Sequence, residues 1–415
     1  MRILLTFMVF LLALSEKISA QADFLTLDKR SYEYYLNCDY RNLKRTADTM
    51  ISSGIDYYYL RMRLGILAYL EKQYSVAATN FTKALKFNSA DTVSREYIYN
   101  IYILSGRKTD ARLYLEALPD DKKNYALRSE TLNRLTEVFV SSSAAGYETS
   151  PYETNNYYFE DIRNTFSISA GLESFFSKRV KGTFAFTNYR KTGTIYLADS
   201  PSGTNLDFSQ NQFYARVTGY SYNGLAFSGF GHAAFYSDAS TNNVAKPEFL
   251  FGAGAMKNGW KLRTGANFSL SNFSFSDQIR GEAFLTWLPF GNLNLYLTSG
   301  WMGQTDRNWG GTYQINGEIG FKVFRLLWLE SGILSGNSFL YAREQGLNVN
   351  NSFLIPATVI YSNVIILAGR RFSITMTPAY SENLNYSWNL NTYTRFNKQN
   401  NNSFGGIIKL TYKSN

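Results

Sequence analysis

The sequence predicts a chain in two parts, a short N-terminal α-helical domain and then a 12–14-stranded antiparallel transmembrane β-barrel. Three observations carry that prediction. Apolar and polar residues alternate with a period of two from about residue 165 to the end, in segments roughly ten residues long. Aromatic residues make up 17% of the 415 and charged residues only 18%, against about 25% charged in an ordinary soluble domain. The first 22 residues have the layout of a secretory signal.

In that signal Arg2 supplies the positive start, Ile3 to Leu14 the apolar centre, and Ile18-Ser19-Ala20 or Ala20-Gln21-Ala22 a small-residue cleavage site. The apolar run is shorter than the ~20 residues a helix needs to span a bilayer, so a helical anchor is not expected. The single cysteine, Cys38, lies well beyond the cleavage region, so no lipid-anchored mature N-terminus is expected. One cysteine also excludes an internal disulfide framework and a multi-cysteine metal site.

Residues 23–133 read as helical and repetitive. Within 57–91 stand Leu64-Gly65, Tyr74, Ala77, Phe81 and Ala84, at offsets that resemble the 34-residue tetratricopeptide repeat (TPR), a pair of antiparallel helices. The resemblance implies that Gly65, Ala77 and Ala84 let two helices approach closely, while Phe81 fills the space before the next hairpin. A step of 34 carries Tyr74 back to Tyr40 and Ala77 forward to Ala111, with Gly106 at a turn and Pro119 ending the unit. In the flanking units Leu43 and Leu115 replace a small residue and an aromatic. All of these are packing residues. What such a stack offers is a concave surface suited to an extended segment.

Residues 134–415 supply the strands. In 311–323, Tyr313, Ile315, Gly317, Ile319, Phe321 and Val323 share one face, with Thr312, Gln314, Asn316, Glu318 and Lys322 on the other. The same reading holds for 259–271, 278–287, 293–301 and 404–413. A soluble sandwich would alternate too. Its strands average nearer five or six residues, however, and it has no need for all six tryptophans in this half. Tight turns at 177–179, 222–224, 257–259, 289–291 and 369–371 alternate with longer polar stretches at 190–208, 238–246, 303–311 and 338–352. The tight turns mark the periplasmic end. A periplasmic N-terminus then needs one strand more, and 135–149 is the candidate despite poor alternation. Residues 372–390 keep one apolar phase throughout, as a single long strand would, and 397–402 is expected as a surface loop.

The inward face carries the chemistry. Lys181, Arg216, Lys261, Arg263, Arg280, Lys322 and Lys409 outnumber Glu173, Glu282, Glu318 and Glu330, which in a wet lumen would favour an anionic solute. Alternatively the charges pair across strands and stiffen the wall. The one histidine, His232, shares its face with Ser228 and Asp238. Four and six residues along an extended strand put these roughly 13–20 Å apart, too far for a nucleophilic triad. No catalytic, cofactor-binding or metal-ligating set is expected, and no cofactor. The net charge of +10 is dispersed through strands and turns, so nucleic acid is not expected as a partner.

The order of signal, helical repeats and barrel resembles the outer-membrane exporters of bacterial exopolysaccharides and the smaller TPR-plus-barrel proteins of Bacteroidota, the YaiO-type barrels. That resemblance implies a periplasmic repeat domain that docks a protein or peptide segment. It also implies a barrel in outer-membrane lipid, with polysaccharide or other envelope cargo in its lumen. A non-conducting structural or surface-binding barrel is the alternative, and a barrel enzyme a further one.

Overall fold

A computed structural model of the chain describes residues 24–118, 120, 135–149 and 158–414, apart from 198–199, 222–223, 239–246, 274–276, 308–309, 339–340, 344, 346, 351–353, 370 and 390–393. The expected signal segment and Pro119 lie outside the described residues. Six N-terminal helices are followed by a closed barrel of fourteen antiparallel strands. The chain divides into two compact units, one holding the described residues up to 107 with 114–120, the other holding residues 108–113 together with the barrel.

The helices are α1 (24–36), α2 (Tyr40–Ser52), α3 (Tyr58–Leu70), α4 (Tyr74–Phe87), α5 (Thr92–Leu104) and α6 (Lys108–Tyr114). None of the described helices is long and apolar enough to cross a membrane. Local chemistry sets their ends. The Asp39 carboxylate accepts the Asn42 N–H at the start of α2, and that of Asp91 accepts the Val93 and Ser94 N–H groups at the start of α5. Gly106 takes φ +72° between α5 and α6, where the sequence places a turn.

The α3–α4 pair packs closely. Ala77, Phe81 and Ala84 are fully buried, as are Leu43 and Ala111 in the flanking units. Phe81 stacks on Tyr97 of α5 with ring centroids 4.6 Å apart. A methyl group on Gly65 would stand 2.8 Å from the Phe81 ring, so the glycine is what lets α3 and α4 close on each other. Tyr74 packs edge-on against Tyr69, and Leu64 is half-buried beside Ala47, Met50 and Leu60.

The barrel strands run in sequence order: β1 (Leu135–Tyr147), β2 (Phe159–Phe175), β3 (Val180–Leu197), β4 (Ser200–Tyr220), β5 (Leu225–Asp238), β6 (Glu248–Asn258), β7 (Leu262–Ser271), β8 (Gln278–Trp287), β9 (Leu295–Asp306), β10 (Gly310–Phe324) and β11 (Leu327–Gly336). A two-stranded hairpin, β12 (Tyr341–Arg343) with β13 (Asn348–Asn350), interrupts the series. Then come β14 (Ile355–Ala368), β15 (Phe372–Asn389) and β16 (Thr394–Lys413), and β16 pairs with β1 to close the ring. Residues 135–149 therefore do supply the extra strand, and it forms the seam: Val140 lies opposite Leu410, and Ser142 opposite Ile408.

Three expected loops are wholly or largely strand instead. Of 303–311, residues 303–306 belong to β9 and 310–311 to β10, with Gly311 opposite Thr305. The polar stretch 190–208 continues as the β3–β4 hairpin, with Arg190 opposite Ser209 and Thr194 opposite Asn205. Residues 397–402 lie within β16, with Asn401 opposite Asn383. The reason is physical. Apolar alternation reports only the part of a strand that meets lipid, whereas ladder hydrogen bonds continue past the bilayer with polar side chains on both faces.

The outward face is apolar over the described strands. Ile168, Phe186, Phe213, Phe251, Phe268, Ile315 and Ile408 all stand exposed on it. Near the tight turns Phe176, Phe227, Trp287, Phe290, Phe324 and Phe372 add a ring of exposed aromatics, the interface girdle of a membrane-embedded barrel. An aqueous exterior would leave this surface far beyond what a soluble monomer tolerates.

Candidate functional site

The lumen is built from the other half of each strand. Because side chains alternate, every outward Phe or Ile sets its two neighbours inward. Gln210, Gln212, Gln278, Arg280, Gln304 and Gln314 are buried there. Most of the expected lumen cations lie on this face. Lys181 donates to Glu173 at 2.7 Å, and Arg216 reaches the same carboxylate at 3.4 Å. Glu173 stands opposite Thr183, and Thr183 opposite Arg216, so one acid bridges three strands. Direct and diagonal neighbours on one face of a sheet lie close enough for such pairing.

The remaining charges are held in similar ways. Arg280 lies 3.3 Å from Glu282 and donates to the Ser269 hydroxyl at 2.7 Å. Glu282 also accepts from Asn267 at 3.3 Å. Glu318 accepts the Tyr361 hydroxyl at 2.8 Å, while Glu330 accepts from Asn363 at 2.8 Å and from Tyr296. The Lys322 ammonium sits 4.7 Å from the centre of the Trp328 ring. Lys409 lies 4.3 Å from that of Phe139 and 3.6 Å from Glu137. Arg263 is half-buried on β7. Lys261 is the exception, since it precedes β7 in the tight turn and is exposed. The strand starts at Leu262, three residues later than the 259–271 alternation suggests.

Towards the loop end stands a pair that the sequence did not single out. Glu160 and Lys191 meet at 2.9 Å with side chains only 7% and 4% exposed. Beside them the Asn385 amide donates to the Glu160 carbonyl at 2.8 Å, which ties β15 to β2 across the seam.

Between β11 and β14, Gln345 and Leu347 reach into the lumen. Leu347 packs on an apolar cluster of Tyr214, Phe230, Leu250 and Phe273, the last of these from the β7–β8 connection. His232 belongs to the same neighbourhood, buried with its ring 6.4 Å from those of Tyr214 and Phe273. Ser228, its companion on the strand, instead accepts from Gln345 at 3.1 Å. Gln345 also accepts from Arg216 at 3.1 Å and donates to Asn267 at 2.7 Å. Next to it lies a cavity of about 580 Å³ lined by Lys181, Arg216, Asn267, Glu282 and Gln314. The length of the 338–352 stretch was visible in the sequence. Nothing in it says that Gln345 and Leu347 point inward.

No family model matches this chain, and no curated protein sequence does. Among solved structures it is similar to a Pseudomonas aeruginosa FadL homologue, at TM-score 0.41 and 9% identity, over 68% of this chain and 91% of that one. The Pseudomonas putida toluene transporter TodX matches at TM-score 0.41 and 7% identity, over 69% and 93%. A bacterial polysaccharide outer membrane secretin matches at 0.36 and 10%, over 68% and 99%. Each is a distant likeness. The closed ring, the apolar exterior and the aromatic girdle decide the broader assignment. The chain is an outer-membrane β-barrel with an N-terminal helical region.

Proposed function

We propose that this barrel is a conduit for envelope cargo, with export of polysaccharide as its leading task, and that the segment between β11 and β14 closes it at rest. The carrying observation is the kind of closure. The cavity has a mixed wall in which Lys181, Arg216, Asn267 and Glu282 are hydrogen-bonded, and Gln345 and Leu347 meet it from a connection between strands, held by side-chain hydrogen bonds to Arg216, Ser228 and Asn267 and by one apolar contact. A contact of a few exchangeable hydrogen bonds can be displaced by cargo, whereas a close-packed barrel core cannot.

Orientation supports export. β1 begins and β16 ends at the end of the barrel that carries the tight turns. In barrels of this class that end faces the periplasm. The helical hairpins, which resemble TPR units, are then periplasmic and dock a protein or peptide segment on their concave side. In this reading the chain is not an enzyme, and His232 serves packing. The second reading, a non-conducting surface-binding barrel, draws support from the mutual pairing of the lumen charges.

Planar-bilayer recording separates the two. The full chain is expected to be nearly silent, and a variant with residues 338–352 replaced by a short Gly-Ser linker is expected to conduct. Silence from both proteins overturns the conduit and leaves the surface-binding barrel.

A further inference from the structure

We infer that the lumen carries a receptor for a carboxamide, that Gln345 occupies it as an internal stand-in, and that its exchangeable ligand is an N-acetylated saccharide. The contacts of Gln345 define the receptor. Arg216 Nη1 donates to its side-chain oxygen at 3.1 Å, and its Nε2 donates to Asn267 Oδ1 at 2.7 Å and to Ser228 Oγ at 3.1 Å. One donor faces the carbonyl oxygen and two acceptors face the N–H side. The three receptor groups stand on β4, β7 and β5, which are fixed by continuous ladders. The amide comes from a connection, and Gln345 takes φ +59° there, a backbone conformation uncommon for a residue other than glycine.

Gly254 shows how the cradle is shaped. A Cβ at that position would stand 2.1 Å from Asn267 Oδ1, 2.9 Å from Gln345 Nε2 and 3.0 Å from Ser228 Oγ. The amide is seated where the wall has no side chain at all. The cavity alongside, about 580 Å³, falls within the roughly 300–1,000 Å³ of small-molecule sites. Two buried donors, Arg216 Nε and Gln314 Nε2, have no hydrogen-bond partner among the described residues, and Gln314 is only 3% exposed.

These groups favour a sugar. An acetamido substituent presents the same carbonyl oxygen and one N–H. The hydroxyl and ring oxygens beside it supply acceptors for Arg216 and Gln314, and Tyr220 and Phe284 line the cavity with aromatic surface. A peptide offers the amide but fewer acceptors per unit volume. Because the stand-in is tethered, it competes at high effective concentration, so free ligand gains when Gln345 is removed. The inference names the cargo of the conduit reading and rests on it for passage, whereas binding needs no open pore.

The test is calorimetric titration of the full chain in detergent with triacetylchitotriose, its fully deacetylated counterpart and an N-acetylated trialanine amide. Gln345→Ala is expected to bind triacetylchitotriose about ten-fold more tightly than the unaltered chain. Asn267→Ala and Gly254→Ala are expected to weaken that binding by about ten-fold or more. Heat-modifiable gel mobility checks that each variant still forms the barrel, and Arg216→Gln gives an independent variant should one fail to fold. Equal binding of the acetylated and deacetylated trimers overturns the inference. So does tighter binding of the peptide, or no effect of Gln345→Ala. Any of these can occur while the linker variant still conducts, so failure here is distinct from failure of the conduit.

Discussion

At the scale of single residues, the helical unit depends on close approaches and on three depressed carboxylates. Gly65→Ala gains helix propensity of about 1 kcal/mol. It also forces a methyl to within 2.8 Å of a Phe81 ring that is fully buried and stacked on Tyr97. Overpacking of that kind costs about 1–3 kcal/mol, so the variant is expected to melt at lower temperature in the helical far-ultraviolet signal while the barrel signal stays unchanged. The acids add a pH dependence. A hydrogen bond from Arg61 holds the Asp56 carboxyl below its ordinary 3.8. Burial alone would raise Asp28 and Asp91, but hydrogen bonds from Tyr57 and Arg63, and from Ser94, outweigh it and leave both lowered. A carboxylate depressed on folding contributes stability that is complete above the unfolded value and is lost as pH falls through the folded one. Thermal melts of the helical signal are therefore expected to be flat from neutral pH to about pH 5 and to drop steeply below about pH 4. A melt that rises on acidification contradicts that reading. Phe81 and Gly65 were expected to pack because their offsets resemble a helical repeat in which those positions meet. Arg61 was not, since its partners Asp56 and Asn80 follow no repeat offset.

At the scale of elements, what could be read was whatever lipid imposes. β10 was plain because water and hydrocarbon meet on its two faces. β1 was faint because Ser141, Ser142, Ser143, Ala144 and Ala145 barely distinguish one face from the other, although their backbone groups close the ring as well as any. Beyond the bilayer the pattern vanishes, and with it the sequence signal for the outer parts of β3, β4 and β16. The Glu160–Lys191 pair lies in that stretch, linking β2 to β3. Both side chains are almost fully buried, so deleting one leaves the other charged and unpaired, at a cost of about 3–5 kcal/mol. Lys191→Met is expected to lower the urea midpoint of the barrel in lipid vesicles accordingly. Adding Glu160→Leu to that variant is expected to restore much of the loss. If the double variant is no better than the single one, the penalty comes from packing around the Lys191 stem, including Phe208.

At the scale of the whole molecule, the lumen charges were legible as a set and illegible as pairs. Alternation places Lys181 and Arg216 inward, but only strand register shows that both meet Glu173. Register also decides where the chain begins and ends. With fourteen strands both ends of the barrel chain fall beside the tight turns, and the proposed export route requires that end to be periplasmic. Cys38 makes this testable without engineering the helical domain, because it is the only cysteine and it is exposed. In intact cells a maleimide on a polymer too large for porins is expected to leave Cys38 unmodified, and to label it once the outer membrane is permeabilised. A cysteine placed at the opposite end, as Thr204→Cys in a chain that also carries Cys38→Ser, is expected to react in intact cells. Thr204 is exposed on the polar extension of β4, on the side away from the tight turns. If Cys38 reacts in intact cells and the residue 204 site does not, the barrel is inverted. The helical hairpins would then meet the cell exterior, and docking of a periplasmic partner would be excluded.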